Sequence, residues 1–313
     1  MQATTNVLVR TKRIENLGIA TCACTLPNGE LLVGTAEDVV KMITPSGLLT
    51  LFAGYPNDRG YVNRVGVESR FNNIRDLVVS EGGFLVVDAE NQCIRLLEVN
   101  SNTMTFVGIL PSQRLRRPKR VLKLSIDSLL ISDEHRIVIM ETLGGIRTIV
   151  TLAGGVEGFN DGQGGEARFS FPGGLALLSW GGVLVADTGN HSIRLVTMDG
   201  RVTTMGGNGE EGGGDGAANE ARFSHPQSVC LYNGRIIVAD TGNNRLVELK
   251  GGRVITVAGS VFGDGGSTDG MGAVAMFQNP THVSHDGNGS LLVVELQQEN
   301  QLRIVSDVEV LSV

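Results

Sequence analysis

Residues 222–259 read RFSHPQSVCLYNGRIIVADTGNNRLVELKGGRVITVAG, and this stretch contains one complete structural repeat. Four short apolar or alternating runs, at 229–231, 235–239, 246–249 and 254–258, predict four β-strands. The runs are separated by Asn233-Gly234, Thr241-Gly242-Asn243 and Gly251-Gly252. Asn-Gly and Gly-Gly dipeptides between β-rich runs are strong hairpin signals. The stretch therefore predicts a four-stranded antiparallel sheet.

Two anchors mark six copies of this unit along the chain. The first anchor is an apolar run that ends in an acid, and it recurs at intervals of 45 to 55 residues. Its acids are Asp88, Asp133, Asp187, Asp240 and Glu295, with Thr35 in a degenerate first copy. The second anchor is Arg-Phe-x-x-Pro, clearest at 168–172 and 222–226. Six four-stranded units with no helical pattern between them predict an all-β, six-bladed β-propeller.

The repeats also resemble a known family. Residues 187–194 (DTGNHSIR) and 240–246 (DTGNNRL) resemble the NHL repeat. The linkers at 160–169 and 214–223 are similar to those of the longer-linker branch of that family. The resemblance is strong over about 150–313 and weak in the first and third repeats. It implies the propeller fold and says little about function, because propellers host unrelated activities.

We predict a single propeller domain over residues 1–313, with four antiparallel strands per blade. The blades are expected at about 14–54, 71–109, 115–154, 169–207, 223–259 and 277–313. Two segments compete for the outer strand of blade six, namely 308–313 and the N-terminal stretch 6–11. We predict that 7–9 pairs in blade six, either as its outer strand or as a fifth strand beside 308–313. Such a strand would link the two ends of the ring and cover an exposed edge.

The repeated charged and aromatic residues are expected to be structural. The linker into each blade and the turn between its second and third strands should lie on the same face, which we call the top face. This arrangement should bring the arginine of Arg-Phe-x-x-Pro close to the repeated acid. The predicted structural pairs join Arg70, Arg114, Arg168 and Arg222 to Asp88, Asp133, Asp187 and Asp240. The repeated phenylalanines are predicted to pack between blades.

Partner recognition is expected where the repeats differ. The residue before the proline position and the residue after it should form two rings around one mouth of the channel, and the third repeat adds a basic patch. Ordinary loop variation is the alternative interpretation. The candidate binding residues are Asn73, Arg75, Arg114, Arg116, Arg117, Lys119, Arg120, Phe171, His225, Gln227, Asn279 and Thr281. Such a mixed ring of polar, basic and aromatic groups suits binding.

The sequence favours a non-catalytic scaffold that binds a protein or peptide partner, and two alternatives stay open. RNA could bind the basic patch at 114–120, although the net charge of −7 and the 4% aromatic content argue against it. Some propellers of this kind are metal-dependent lyases or lactonases. Their metal would need ligands from several blades, and the candidates are His225, His282 and His285, with His135 and His191 on outer turns.

No cofactor is expected. Asp-Gly pairs at 161–162, 215–216, 264–265 and 269–270 raise the alternative of structural calcium. They lack the acid spacing of an EF-hand, and Asp-Gly more often supports a turn. The four cysteines form no disulfide framework, and no run of 18 apolar residues occurs. We therefore expect a cytoplasmic, monomeric protein without membrane contact.

Overall fold

A computed structural model describes residues 7–98, 103–106, 115–144, 146–286, 289–296 and 299–307, with the backbone alone for 103–106. These residues form β-strands and five short 3-10 turns, and none of them lies in an α-helix. The 3-10 turns are Gly66–Glu68, Gly164–Glu166, Thr188–Asn190, Thr241–Asn243 and Gly272–Val274. Within this part of the chain, no helix is long and apolar enough to cross a membrane.

Six antiparallel sheets follow one another, and each sheet is one blade. Blade one contains β2 (Ala20–Thr25), β3 (Leu31–Thr35), β4 (Val40–Ile43) and β5 (Leu49–Ala53). Blade two contains β6 (Ile74–Ser80), β7 (Gly83–Asp88), β8 (Cys93–Glu98) and β9 (Thr103–Phe106). Blade three contains β10 (Pro118–Lys123), β11 (Ser128–Asp133), β12 (Arg136–Leu143) and β13 (Ile146–Gly154). The predicted six-bladed propeller is confirmed.

The prediction of four strands per blade is wrong for the last three blades, which have five. Blade four contains β14 (Gly162–Gln163), β15 (Leu175–Leu177), β16 (Val183–Asp187), β17 (Ser192–Val196) and β18 (Arg201–Gly206). Blade five contains β19 (Gly216–Ala217), β20 (Ser228–Tyr232), β21 (Arg235–Asp240), β22 (Arg245–Lys250) and β23 (Arg253–Gly259). Blade six contains β24 (Gly270–Met271), β25 (Pro280–His285), β26 (Ser290–Glu295), β27 (Gln301–Asp307) and the N-terminal β1 (Val7–Arg13).

The additional strands come from the Asp-Gly linkers. In blade four, Asp161 accepts hydrogen bonds from the backbone N–H and the hydroxyl of Thr204, at 3.0 and 2.9 Å. These bonds hold the linker against the outer strand, and the two residues of β14 then pair with β18. The linker thus becomes a short fifth strand because its aspartate is anchored.

The outer strand of blade six is β1. Its seven residues pair antiparallel with β27, from Val7 opposite Asp307 to Arg13 opposite Gln301. The N-terminal strand therefore takes the first of the two positions considered for it, with β24 beyond it. The competing segment 308–313 lies outside the described residues.

The apolar core is divided among the six interfaces between blades. The first strands of successive blades contact one another in order, and β25 contacts β2 to close the ring. Each core cluster draws buried side chains from two neighbouring blades. The predicted packing of the repeated phenylalanines between blades is confirmed, since four of them are fully buried in these clusters: Phe71, Phe169, Phe223 and Phe277.

The predicted pairing of the repeated acids with the arginines of Arg-Phe-x-x-Pro is wrong for those arginines that the structure describes. Each acid pairs instead with an arginine on the third strand of its own blade. The observed pairs are Asp88–Arg95, Asp133–Arg136, Asp187–Arg194, Asp240–Arg245 and Glu295–Arg303, at 2.7 to 3.2 Å. The acids are buried, so their charge needs a partner that is buried beside them.

The arginines of the second anchor serve through their backbone. The carbonyls of Arg70, Arg168 and Arg222 accept hydrogen bonds from the third-strand arginines of the following blade. The side chain of Arg70 pairs with Asp58, and the side chain of Arg222 pairs with Glu210. The fourth predicted partner, Arg114, lies outside the described residues.

Candidate functional site

One of the two predicted rings converges on a cavity at the top mouth of the channel. This mouth cavity has a volume of about 110 Å³, and every blade contributes to its wall. Five of its lining residues follow the proline position of their repeat: Arg75, Lys119, Gly173, Gln227 and Thr281. Blade one contributes Thr21 in place of the expected Gly18, whose N–H bonds to Asn300 instead.

The other ring points away from the cavity. Asn73, Phe171, His225 and Asn279 all have left-handed backbone, with φ between 47 and 67°. Because of this sharp turn, the side chain before the proline position and the side chain after it point in different directions. The backbone N–H at each of these positions bonds to a turn side chain of the preceding blade; for Asn279 the acceptor is Asn244 at 2.8 Å. This ring therefore tethers neighbouring blades.

Arg120 spans the mouth from blade three. Its guanidinium donates to the carbonyl of Thr281 in blade six at 3.0 Å and to the carbonyl of Arg75 in blade two. The side chain is buried and lines both the mouth cavity and the channel beneath it. The Arg120 side chain thus lies between the mouth cavity and the channel, and its charge faces the mouth cavity.

Positive charge is concentrated around the Arg120 side chain. The Lys119 ammonium donates to the carbonyl of Phe171 at 3.0 Å. Burial and the charges of Arg120, Arg75 and Arg117 lower the pKa of Lys119 to about 8. Burial and Arg120 also lower the pKa of Arg75. These cations are held together at an energetic cost, which an anion in the cavity would relieve.

The channel below Arg120 is larger than the mouth cavity and mostly apolar. Its volume is about 400 Å³, and the first strands supply its walls. Asp76 is buried there, and burial raises its pKa to about 6 against the charge of Arg120. His282 is also buried, and neither ring nitrogen has a hydrogen-bond partner among the described residues. Burial and Arg120 lower the pKa of His282 to about 3, so the ring is neutral.

His225, His282 and His285 do not form a common set of metal ligands among the described residues. His282 and His285 line the channel, and the ring of His285 packs against that of Tyr232 at an angle of 44°, with ring centroids 5.7 Å apart. His225 lies on the top face, where its ring packs against His191. Burial raises the pKa of the Cys22 thiol to about 12, which disfavours the reactive thiolate.

The basic patch divides into two parts. Arg116 pairs with Glu134 at 3.1 Å, and Arg117 lies over the ring of Phe171 at 5.5 Å. Both are exposed, whereas Lys119 and Arg120 reach the mouth cavity. Only the second part therefore belongs to the site.

The Asp-Gly carboxylates are used by protein donors. Like Asp161, Asp215 accepts from the backbone and hydroxyl of Thr256, and it also pairs with Arg245 at 3.1 Å. Asp269 makes the equivalent contacts to Thr11 and Arg303. The carboxylates serve as strand anchors here, so the calcium alternative gains no support from their geometry.

Sequence reasoning missed three lining residues of the mouth cavity: Thr21, Thr188 and Leu296. Thr188 and Leu296 each follow the repeated acid of their blade directly. That equivalent position was a usable signal, because a residue just after the second strand lies on the top face. Thr21 carried no such signal, since the first repeat departs from the pattern.

Comparison with known proteins supports the repeat assignment. The family model of the NHL repeat matches residues 169–194 and 223–249. Human NHL repeat-containing protein 2 is 39% identical over 79 residues, which cover 25% of this chain and 11% of that protein. SUPPRESSOR OF QUENCHING 1 of Arabidopsis thaliana is 36% identical over 99 residues, which cover 30% of this chain and 9% of that protein. The match thus spans about a tenth of each relative.

Solved structures share the fold. An auxiliary nutrient binding protein from Bacteroides ovatus has a TM-score of 0.70 at 16% identity, covering 97% of this chain and 78% of that one. A streptogramin B lyase has a TM-score of 0.61 at 12% identity, covering 98% of this chain and 100% of that one. At such identities the likeness concerns the fold alone. The resemblance to NHL-repeat propellers, drawn from residues 187–194 and 240–246, is confirmed.

Proposed function

We propose that this six-bladed propeller with NHL repeats is a non-catalytic scaffold that binds an acidic segment of a protein or peptide partner at its mouth cavity. The observation that carries the proposal is the convergence of Arg75, Lys119 and Arg120 on a cavity lined from every blade. A carboxylate there would contact several positive charges at once.

The cavity has room for a small anionic head. Its volume of about 110 Å³ is several times the roughly 10–15 Å³ that one water molecule needs, so a carboxylate fits inside. The rest of the ligand would lie on the top face. Exposed polar and aromatic side chains surround the mouth there, including His225 and Arg117. This arrangement suits a partner that inserts one acidic side chain or its C-terminal carboxylate.

The mouth cations are also the best support for the RNA alternative. A phosphate would neutralise them as a carboxylate does. Base stacking would need aromatic platforms beside them, and Phe171, which lies against Arg117 and Lys119, already packs on His135. The lyase-like structural neighbours suggest an enzyme, but this chain offers no convergent ligand set in the described part of its channel. The acidic partner is therefore preferred.

A direct binding experiment tests the proposal. A fluorescent hexaglutamate peptide and a hexauridylate of matched charge would be titrated at low salt against the wild type and two variants. Lys119→Gln removes a mouth cation, whereas Lys123→Gln removes the same charge from the opposite end of β10, where it pairs with Glu81. We expect peptide binding to weaken at least fivefold for Lys119→Gln only. Equal peptide binding by both variants would refute the mouth site, and tighter RNA binding that depends on Lys119 would favour the RNA alternative.

A further inference from the structure

Three potential metal ligands meet on the top face at the boundary between blades four and five. They are His191, Glu211 and His225, which we call the rim cluster. Their ligand atoms all lie within 4.8 Å of one another. His225 Nδ1 is 3.6 Å from Glu211 Oε1, and the two imidazole centroids are 4.4 Å apart. Among the described residues, no other group of this kind occurs.

Repeated features of the fold hold each member in place. His191 ends the 3-10 turn after β16, with left-handed backbone at φ 48°. His225 has the same φ and precedes Pro226. Glu211 lies in the linker, where its backbone bridges to Phe223 and its Oε1 accepts from the Ser224 hydroxyl at 2.7 Å. The three side chains are therefore positioned by backbone that the blade boundary keeps rigid.

We propose that the rim cluster binds a divalent transition-metal ion, such as zinc, through its two imidazoles and its carboxylate. Two ligands about 2.0–2.1 Å from a tetrahedral ion lie roughly 3.4 Å apart. The 3.6 Å separation of His225 and Glu211 is close to that value. Their side chains are 52% and 60% exposed, so a small movement can complete the contraction. Imidazole nitrogen selects zinc, copper or nickel over calcium and magnesium.

A hydrogen bond identifies the nitrogen of His191 that can bind the ion. The backbone N–H of His225 donates to His191 Nδ1 at 3.1 Å, so this nitrogen carries a lone pair. A metal at Nδ1 would replace a hydrogen bond from an exposed amide, and water can satisfy that amide afterwards.

The boundary between blades three and four provides an internal comparison. There His135, Glu157 and Phe171 occupy the equivalent positions. The N–H of Phe171 donates to His135 Nδ1 at 3.4 Å, and the Ser170 hydroxyl donates to Glu157 at 2.9 Å. The hydrogen bonds of the two boundaries thus match, and the second imidazole distinguishes the rim cluster. Phenylalanine at position 225 should fit the fold, because Phe171 already does so.

Metal titration of the whole chain tests this proposal independently of the acidic-partner function. Chelator-treated protein would be titrated with Zn²⁺ by calorimetry, and with Co²⁺ by visible absorption, which reports the coordination geometry. We expect one ion per chain, with binding weakened at least 100-fold in His225→Phe. His191→Asn should weaken it similarly while keeping the interblade hydrogen bond, because Asn244 makes that bond to the N–H of Asn279.

The matched control is Glu157→Gln, which changes the equivalent carboxylate at the other boundary. It should bind zinc as the wild type does, and each variant should melt within about 3 °C of the wild type without metal. Failure of the wild type to bind Zn²⁺ at 100 μM, or binding by His225→Phe and His191→Asn as tight as that of the wild type, would overturn the proposal. Loss of binding in the two histidine variants alone supports it, whether or not the mouth cavity binds acidic peptides.

Discussion

The side chain of Asp269 accepts two hydrogen bonds from Thr11, a residue 258 positions earlier in the chain. The backbone N–H of Thr11 donates at 2.9 Å and its hydroxyl donates at 2.7 Å. Asp161 and Asp215 bind Thr204 and Thr256 in the same manner within continuous blades. Thr11 therefore occupies the position that a threonine on the outer strand, β18 or β23, occupies in blades four and five. The N-terminal strand completes blade six by copying the contacts of the other blades.

Removal of the N-terminal strand should destabilise the whole ring. Deletion of residues 1–11 removes Val7 and Val9, which are buried between blades five and six. Burial of a valine stabilises by about 1.5–3 kcal/mol, and the deletion also exposes the edge of β27. We expect the melting temperature, followed by circular dichroism, to fall by several degrees. Deletion of 1–6 is the control, since it leaves β1 intact, and a change within one degree for the longer deletion would contradict closure by β1.

The interblade phenylalanines should act on the cooperative unfolding of the domain. Phe223 is fully buried between blades four and five, so Phe223→Ala should cost about 3–5 kcal/mol. Denaturant unfolding should stay a single transition because neighbouring blades share their cores. Phe262 is 87% exposed, and Phe262→Ala serves as the control with little expected change. Equal stability of the two variants would mean that Phe223 contributes no interblade packing.

The revised charge pairing predicts unequal effects for two arginines. Arg194→Met leaves the buried Asp187 without its cation, which should cost about 3–5 kcal/mol. Arg222→Met removes a half-exposed side chain that pairs with the exposed Glu210, so less than about 1 kcal/mol should be lost. The free energies of unfolding in urea at pH 7 would test this difference. The reverse order would restore the pairing predicted from the sequence.

His282 should make stability depend on pH. Its pKa is about 3 in the fold and about 6.5 when unfolded, so below pH 6.5 the unfolded chain binds the additional proton. Stability is therefore lost as pH falls from about 6.5 towards 3, by about 1.4 kcal/mol per unit from this residue. His282→Leu introduces an apolar side chain of similar size that does not titrate, and it should remove that part of the dependence of stability on pH. If the melting temperatures of the variant and the wild type depend on pH in the same way between pH 4.5 and 7.5, folding does not lower the pKa of His282.

The predictions that succeeded from sequence rest on local physics. Hairpin dipeptides such as Asn233-Gly234 and apolar runs of strand length specify four consecutive antiparallel strands within about forty residues. Repetition of that unit then determines the number of blades, and the burial of Phe223 follows from its repeat position. Equivalence between repeats also identified most residues of the mouth cavity, because symmetry places equivalent positions around one axis.

The tertiary structure decided what repetition leaves open. The repeat pattern predicts Arg168 as the partner of Asp187, and only the packing of β17 shows that Arg194 is buried beside this acid. The pattern of 7–9 allowed two places in blade six, and pairing with β27 chose one. The left-handed turn at His225 directs its side chain to His191, away from the ring that includes Gln227. Spacing along the chain specifies which residues share a ring, whereas the backbone angle at each turn and the burial of each charge determine what every side chain touches.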